Sequence, residues 1–221
     1  MGADLGPEEV RAASIDAMGR ELGELHHALG NELTYLHLKW KEYRALFGTS
    51  PERIDLLNEA APDFFGKLQH ILWDDVLLHL CRLTDPPKSM GRANLTISRL
   101  SPLVINSIQN ELESLISIAK AKTSFARDRR HRRLAHQELP DFEGEEPKPL
   151  AAASRQHVEE ALTSIREVMN LIEVHYQESP VLYEHSIEDL GGVDALLNCL
   201  KVGVEGRRQR RGRSFTSPES G

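Results

Sequence analysis

The 221-residue sequence predicts an all-α protein, an up-and-down bundle of long antiparallel helices. Three observations lead there. Apolar residues recur at three- and four-residue steps along nearly the whole chain, which is the spacing of a helix face. Prolines mark the ends of those runs, at Pro51, Pro62, Pro86–Pro87 and Pro102. Almost nothing alternates apolar and polar residues as a half-buried strand does.

The first run holds Leu22, Leu25, Leu29, Leu33, Leu36, Trp40, Tyr43 and Phe47, a single helical stripe. It predicts a helix from about residue 8 to 47, about 60 Å long at 1.5 Å per residue. That length exceeds what a compact domain buries, so part of it is expected to project or to pack on a partner. Gly23 and Gly30 each cost about 1 kcal/mol in a helix and mark where it would break. Ser50–Pro51 reads as an N-cap followed by proline at the first helical position, opening a short helix to Glu59. Pro62–Asp63 opens the next, with Phe64, Phe65, Leu68, Ile71, Leu72, Val76, Leu80 and Leu83. Lys88–Ala93 is a polar loop. Ser101–Pro102 starts a helix whose inner face is Leu103, Ile105, Ile108, Leu112, Leu115, Ile116 and Ala119, and which runs on into a basic segment. Residues 137–150 combine three prolines with five acidic residues and read as an exposed loop. Ala151 to Gln177 is a helix with Val158, Leu162, Ile165, Val168, Met169, Ile172 and Tyr176 inward. A short helix follows at about 189–202. The organisation is one helical domain over 1–202, its long first helix at about 8–47 and its core at about 48–202. Residues 203–221 read as a disordered basic tail.

Composition narrows the classes. No apolar run approaches the roughly 20 residues that span a bilayer, and the N-terminus lacks a signal pattern. A cytoplasmic protein without membrane contact is expected. Aromatics make up 5% of the chain, which weakens any reading based on stacking single-stranded bases. Cys81 and Cys199 lie in apolar helical patterns and read as buried, reduced thiols. His26, His27, His37, His70 and His79 show no metal-ligand spacing, so no metal and no cofactor is expected. There is no glycine-rich phosphate loop and no nucleophile elbow. The run Arg207–Arg213 reads as a solvated tail, with salt-sensitive nucleic-acid contact as the alternative.

One segment stands apart. From Lys120 to His136 the formal charge is +6, in a chain of net charge −7. Its plain reading is a cationic helix surface. Two features argue for more. Leu134–Ala135–His136 sets a histidine beside small and apolar residues just before a loop, where packing can position it. Arg82 and Asp85 sit three residues apart on one helix face, suited to bracing each other or the basic segment. Histidine moves protons near neutral pH, and arginine holds phosphate.

Arg130–His131–Arg132–Arg133–Leu134–Ala135–His136 resembles the signature of HEPN domains, an arginine and a polar residue followed by a histidine after four to six intervening positions. The Ala-His ending is similar to HEPN domains of the AbiU type, found in bacterial abortive-infection proteins. Trp73–Asp74 and Arg82–Leu83–Thr84–Asp85 match the preceding helix of that type, and the likeness covers about residues 47–177. Arg130 leaves five positions before His136; Arg129 leaves six and also fits. His131 stands where Asn or Asp is usual. The resemblance implies a metal-independent ribonuclease that uses the RNA 2′-hydroxyl as nucleophile, in phage defence or as a toxin. His136 would move the proton and Arg130 would stabilise the phosphorane-like transition state. His131 would orient the phosphate or assist proton transfer. Arg127, Arg129, Arg132 and Arg133 would hold the RNA backbone, and Arg82 and Asp85 would stand behind them. It also implies a homodimer with a composite active site, and it is compatible with a cognate antitoxin or defence partner. The rival is a non-catalytic helical scaffold that binds nucleotides or a protein, favoured by the acidic net charge.

Overall fold

A computed structural model describes residues 6–131, 152–184 and 191–214. The helices are α1 (Pro7–Met18), α2 (Arg20–Phe47), α3 (Pro51–Ala60), α4 (Pro62–Thr84), α5 (Asn106–Lys122), α6 (Ser124–Arg129), α7 (Arg155–Gln177) and α8 (Val193–Ser214). The fold is all-α, as the periodicity predicts. A two-residue hairpin, β1 (Lys88–Ser89) with β2 (Arg92–Ala93), is the one sheet among the described residues. It replaces the expected polar loop. Met90 and Gly91 form its turn with φ of 48° and 77°, the left-handed pair a tight hairpin requires.

The chain divides into two compact units, Met1–His37 with Asp74–Ser186, and Leu38–Trp73 with Ile187–Gly221. In the first, α5 and α7 run antiparallel. Lys122 at the end of α5 donates to Glu160 near the start of α7 at 2.7 Å, and the Ile105 N–H donates to the Tyr176 hydroxyl at 3.3 Å. Their facing stripes are the predicted ones: Ile108, Leu112, Ile116 and Ala119 against Val158, Leu162, Ile165 and Met169, all buried. In the second unit, Leu46, Leu57, Phe65 and Leu197 form the core. Trp40 stacks on Tyr43 at 5.3 Å there, and Trp73 closes the aromatic group at 5.4 Å from Tyr43.

Several boundaries depart from the sequence reading. The first helix breaks at Gly19 (φ 79°), rather than at Gly23 or Gly30. A Cβ on Gly23 would lie 2.6 Å from the Ser14 carbonyl oxygen and 2.7 Å from the Ile15 Cα, so α1 crosses α2 where α2 has no side chain. Gly30 faces the Tyr183 ring, 3.6 Å from where its Cβ would be. Leu22, Leu29, Leu33, Leu36, Trp40 and Tyr43 are all buried. The stripe is therefore covered within the chain, and its length is no argument for a dimer. Gly23→Ala should lower stability by about 1–3 kcal/mol through that backbone clash. Thermal melting checks this, and a gain in Tm would refute the crossing.

The helix expected from Ser101–Pro102 begins later, at Asn106. Val104 and Ile105 are extended, and 3-10 turns at Ile97–Arg99 and Ser101–Leu103 precede it. α7 starts at Arg155 rather than Ala151, because Ser154 accepts the His157 N–H at 3.2 Å and caps it there. Cys81 is buried as expected, but Cys199 is exposed. The expected short helix near 189–202 and the first part of the expected tail form one helix, α8, which runs to Ser214. Glu59 accounts for this. Its backbone carbonyl accepts from Arg207, and its carboxylate accepts two bonds from Arg208. Residues 215–221 lie outside the described residues.

Candidate functional site

The end of α4 and the start of α6 meet in the first unit. Nothing in the sequence punctuates α5, yet it stops at Lys122. Thr123 takes φ −94° and ψ 2°, and α6 starts afresh. The two threonines at this junction explain its shape. Thr84 donates to the Leu80 carbonyl at 2.8 Å and lies 3.0 Å from the Thr123 hydroxyl. Arg127 then donates to the Thr84 hydroxyl at 2.8 Å and to the Lys120 carbonyl. The Thr84 oxygen gives its hydrogen to Leu80 and a lone pair to Arg127; Thr123 directs its own hydrogen to the Ala119 carbonyl at 2.9 Å, so the two hydroxyls lie in close polar contact with both hydrogens turned to carbonyls. Arg127 is thereby committed to the scaffold.

Arg130 is held differently. Its Nη1 donates to both oxygens of Asp85, at 2.9 and 2.7 Å, and the two side chains are 22% and 19% exposed. The Asp85 hydrogen bond holds the guanidinium more firmly protonated than usual. Asp85 is fixed in turn, since Thr96 donates to its backbone carbonyl at 2.8 Å. The bonds to Asp85 use Nη1 alone. Nε and Nη2 carry the other three of the five donors a guanidinium has. Cys81 lies close by, its thiol pushed up to about 11 by burial despite the nearby arginines. Burial thus favours the neutral thiol there.

Asp85 and Arg130 thus come together, as the bracing idea requires, but Arg82 does not join them. It is exposed and turns to Glu32 at 3.4 Å, where Glu32 also meets His79 at 2.8 Å. In Arg82–Leu83–Thr84–Asp85 the residues that reach the basic segment are Thr84 and Asp85. Arg129 lies one turn after Phe125 on α6, its Nε buried without a hydrogen-bond partner. His131 is exposed at the end of the described segment. Arg132, Arg133 and His136 lie outside the described residues.

Sequence reasoning passed over His157. It sits in the first turn of α7, its ring 5.4 Å from that of Phe125 and its Nδ1 buried without a partner. The signal was the Ser154 cap, which fixes where His157 falls. Among the described residues no group of three or more His, Cys, Asp or Glu is arranged to hold a metal. None of the described helices is long and apolar enough to cross a membrane.

The arrangement offers a clamped cation on a basic helix that leads directly into a histidine-bearing segment, which is a setting for handling phosphate. The HEPN_AbiU2 family model, described as AbiU2, matches residues 20–195. No curated protein matches the chain. No solved structure matches it either. The family match takes in α2 to α7, the Asp85–Arg130 clamp and the Arg130–His136 motif. The chain belongs to the AbiU2 family of HEPN domains.

Proposed function

We propose that the chain is a metal-independent endoribonuclease of abortive infection. His136 takes the proton from an RNA 2′-hydroxyl, the oxygen attacks the adjacent phosphorus, and the bond to the 5′-oxygen breaks. The products are a 2′,3′-cyclic phosphate and a 5′-hydroxyl end, and the leaving oxygen gains a proton. Arg130 stabilises the charge that develops on the phosphoryl oxygens. His131 orients the phosphate beside it. Two copies of the motif meet across a homodimer to complete the site. The observation that carries this reading is the Asp85–Arg130 clamp. It aims a guanidinium whose partner leaves other donors to spend, as electrostatic preorganisation requires.

A scaffold reading takes the same clamp as a structural ion pair only. Incubation of the purified protein with RNA in chelator separates the two. Cleavage is expected, with His136→Ala reduced by about 10²- to 10⁴-fold. Equal rates for the two proteins, or no cleavage by either, would leave the scaffold reading standing.

A further inference from the structure

The arginine run at the end of the chain has no part in the mechanism above, and it is not the loose tail its composition suggests. Within the second unit, Arg207 and Arg208 bind Glu59 and pin the basic half of α8 beside the end of α3. A pinned helix has a fixed face. That face borders an open groove of about 490 Å³, lined by an apolar set, Ala60, Leu200, Gly203 and Val204, and a cationic set, Arg207, Arg210 and Arg211. The volume lies within the range of small-ligand sites, roughly 300–1,000 Å³.

Gly203 is the informative residue. A glycine inside a helix costs about 1 kcal/mol, so it is usually kept for close packing or a turn. Neither applies. Nothing lies within 4 Å of where its Cβ would be, and no positive φ occurs there. The missing side chain opens the groove. An apolar set together with planar cations suits a flat base that carries phosphate, with guanidinium forks on the phosphate oxygens. An acidic peptide would use the cations but has little use for the apolar set.

We infer that the α8 groove binds a nucleotide unit, with the base over Leu200, Gly203 and Val204 and the phosphate on Arg210 and Arg211. The ligand is a free nucleotide or one residue of an RNA strand. The inference extends the ribonuclease reading to a second surface, but it concerns binding alone. It is therefore tested with RNA that cannot be cleaved, so that loss of one reading leaves the other intact.

The full-length protein carries its own reporter. Cys199 lines the groove and is exposed, whereas Cys81 is buried and its thiol is pushed up to about 11. An uncharged maleimide at neutral pH therefore modifies Cys199 alone. The probes are a mononucleoside monophosphate and a short 2′-O-methyl oligoribonucleotide. Saturation with one or both should slow Cys199 modification at least fivefold. Protection by the monophosphate assigns a free nucleotide, and protection by the oligonucleotide alone assigns a strand. Gly203→Met fills the groove without changing charge or breaking the helix, and should abolish the protection. Arg210→Gln with Arg211→Gln should weaken it at least tenfold. Unchanged protection in Gly203→Met would overturn the groove. So would full reactivity of Cys199 under saturating probe, or stronger protection by an oligoglutamate, which would assign an acidic protein partner instead.

Discussion

Asp85→Ala should reduce RNA cleavage by about 10- to 100-fold while leaving the protein folded. One nitrogen of Arg130 serves Asp85 and sets the orientation of the rest. Without the carboxylate the guanidinium keeps its charge but loses its aim, and a loosely placed donor forfeits much of its transition-state value. Both side chains are about four-fifths covered, so the unpaired arginine also costs stability, about 1–2 kcal/mol. Asp85→Asn preserves shape and removes charge, and should fall between wild type and alanine. Arg130→Ala should be the most damaging of the three to kcat. A double-mutant cycle decides what the pair does. Coupling in kcat as well as in Tm is expected; coupling in Tm alone, with cleavage per folded molecule unchanged, would reduce the clamp to a structural contact.

Glu173→Gln should stabilise the protein, and only at higher pH. Glu173 is buried on α7, where burial pushes its carboxyl up to about 7. Gln177 donates to one of its oxygens at 2.7 Å, and the other lies 3.5 Å from Nδ1 of His26. The other ring nitrogen of His26 is 3.2 Å from the Met169 carbonyl oxygen, so it carries the hydrogen and donates it there. His26 is buried too and is pushed down to about 4, so between about pH 4 and 7 the proton resides on Glu173 and His26 is neutral. Tyr183, the other titratable neighbour, is pushed up by burial and by Glu173, and stays neutral. The sign follows from proton counts. Between pH 4.5 and about 7 the native carboxyl keeps a proton that the unfolded one has lost, so raising pH favours unfolding. That contribution is fully present below 4.5 and is lost by about 7, a difference of roughly 3 kcal/mol. Glutamine keeps a donor toward His26 and has nothing to titrate. The gap in Tm between variant and wild type should be near zero at pH 4.5 and widen to about 5 °C or more by pH 8. Melting curves that stay parallel across that range would contradict the assignment. His26 opposes this trend in both proteins, since its depressed pKa destabilises the native state as pH falls from 6.5 toward 4.

What the sequence made legible was whatever lies close along the chain. The stripes of α2, α5 and α7 could be read because each face repeats within one turn. The cap at Ser50 is local for the same reason, whereas the one at Ser154 was missed and the start of α7 with it. Arg82 shows where that reading fails. A pair three residues apart shares a face, but which neighbour each side chain meets depends on helices far away in sequence; Arg82 found Glu32 and Asp85 found Arg130. The break at Thr123 has no proline or glycine to announce it, and it rests on a hydroxyl contributed by Thr84. The extent of α8 was the least legible feature. Its three glycines and five arginines read as a tail, and the residue that holds it, Glu59, precedes Arg208 by 149 positions.

The two threonines at the α4–α6 junction have a further consequence. Ions screen exposed charges beyond a Debye length of about 8 Å at physiological strength, but they do not reach buried neutral dipoles. The Thr84–Thr123 contact and the Thr84 bond to the Leu80 carbonyl are neutral and buried, and Arg127 is tied into them. The course of α6, from Ser124 to Arg129, is thus set by neutral buried contacts that electrolyte does not weaken. Salt acts on how often a polyanion arrives and how long it stays, and on the part-exposed Asp85–Arg130 pair, but not on the course of the helix itself.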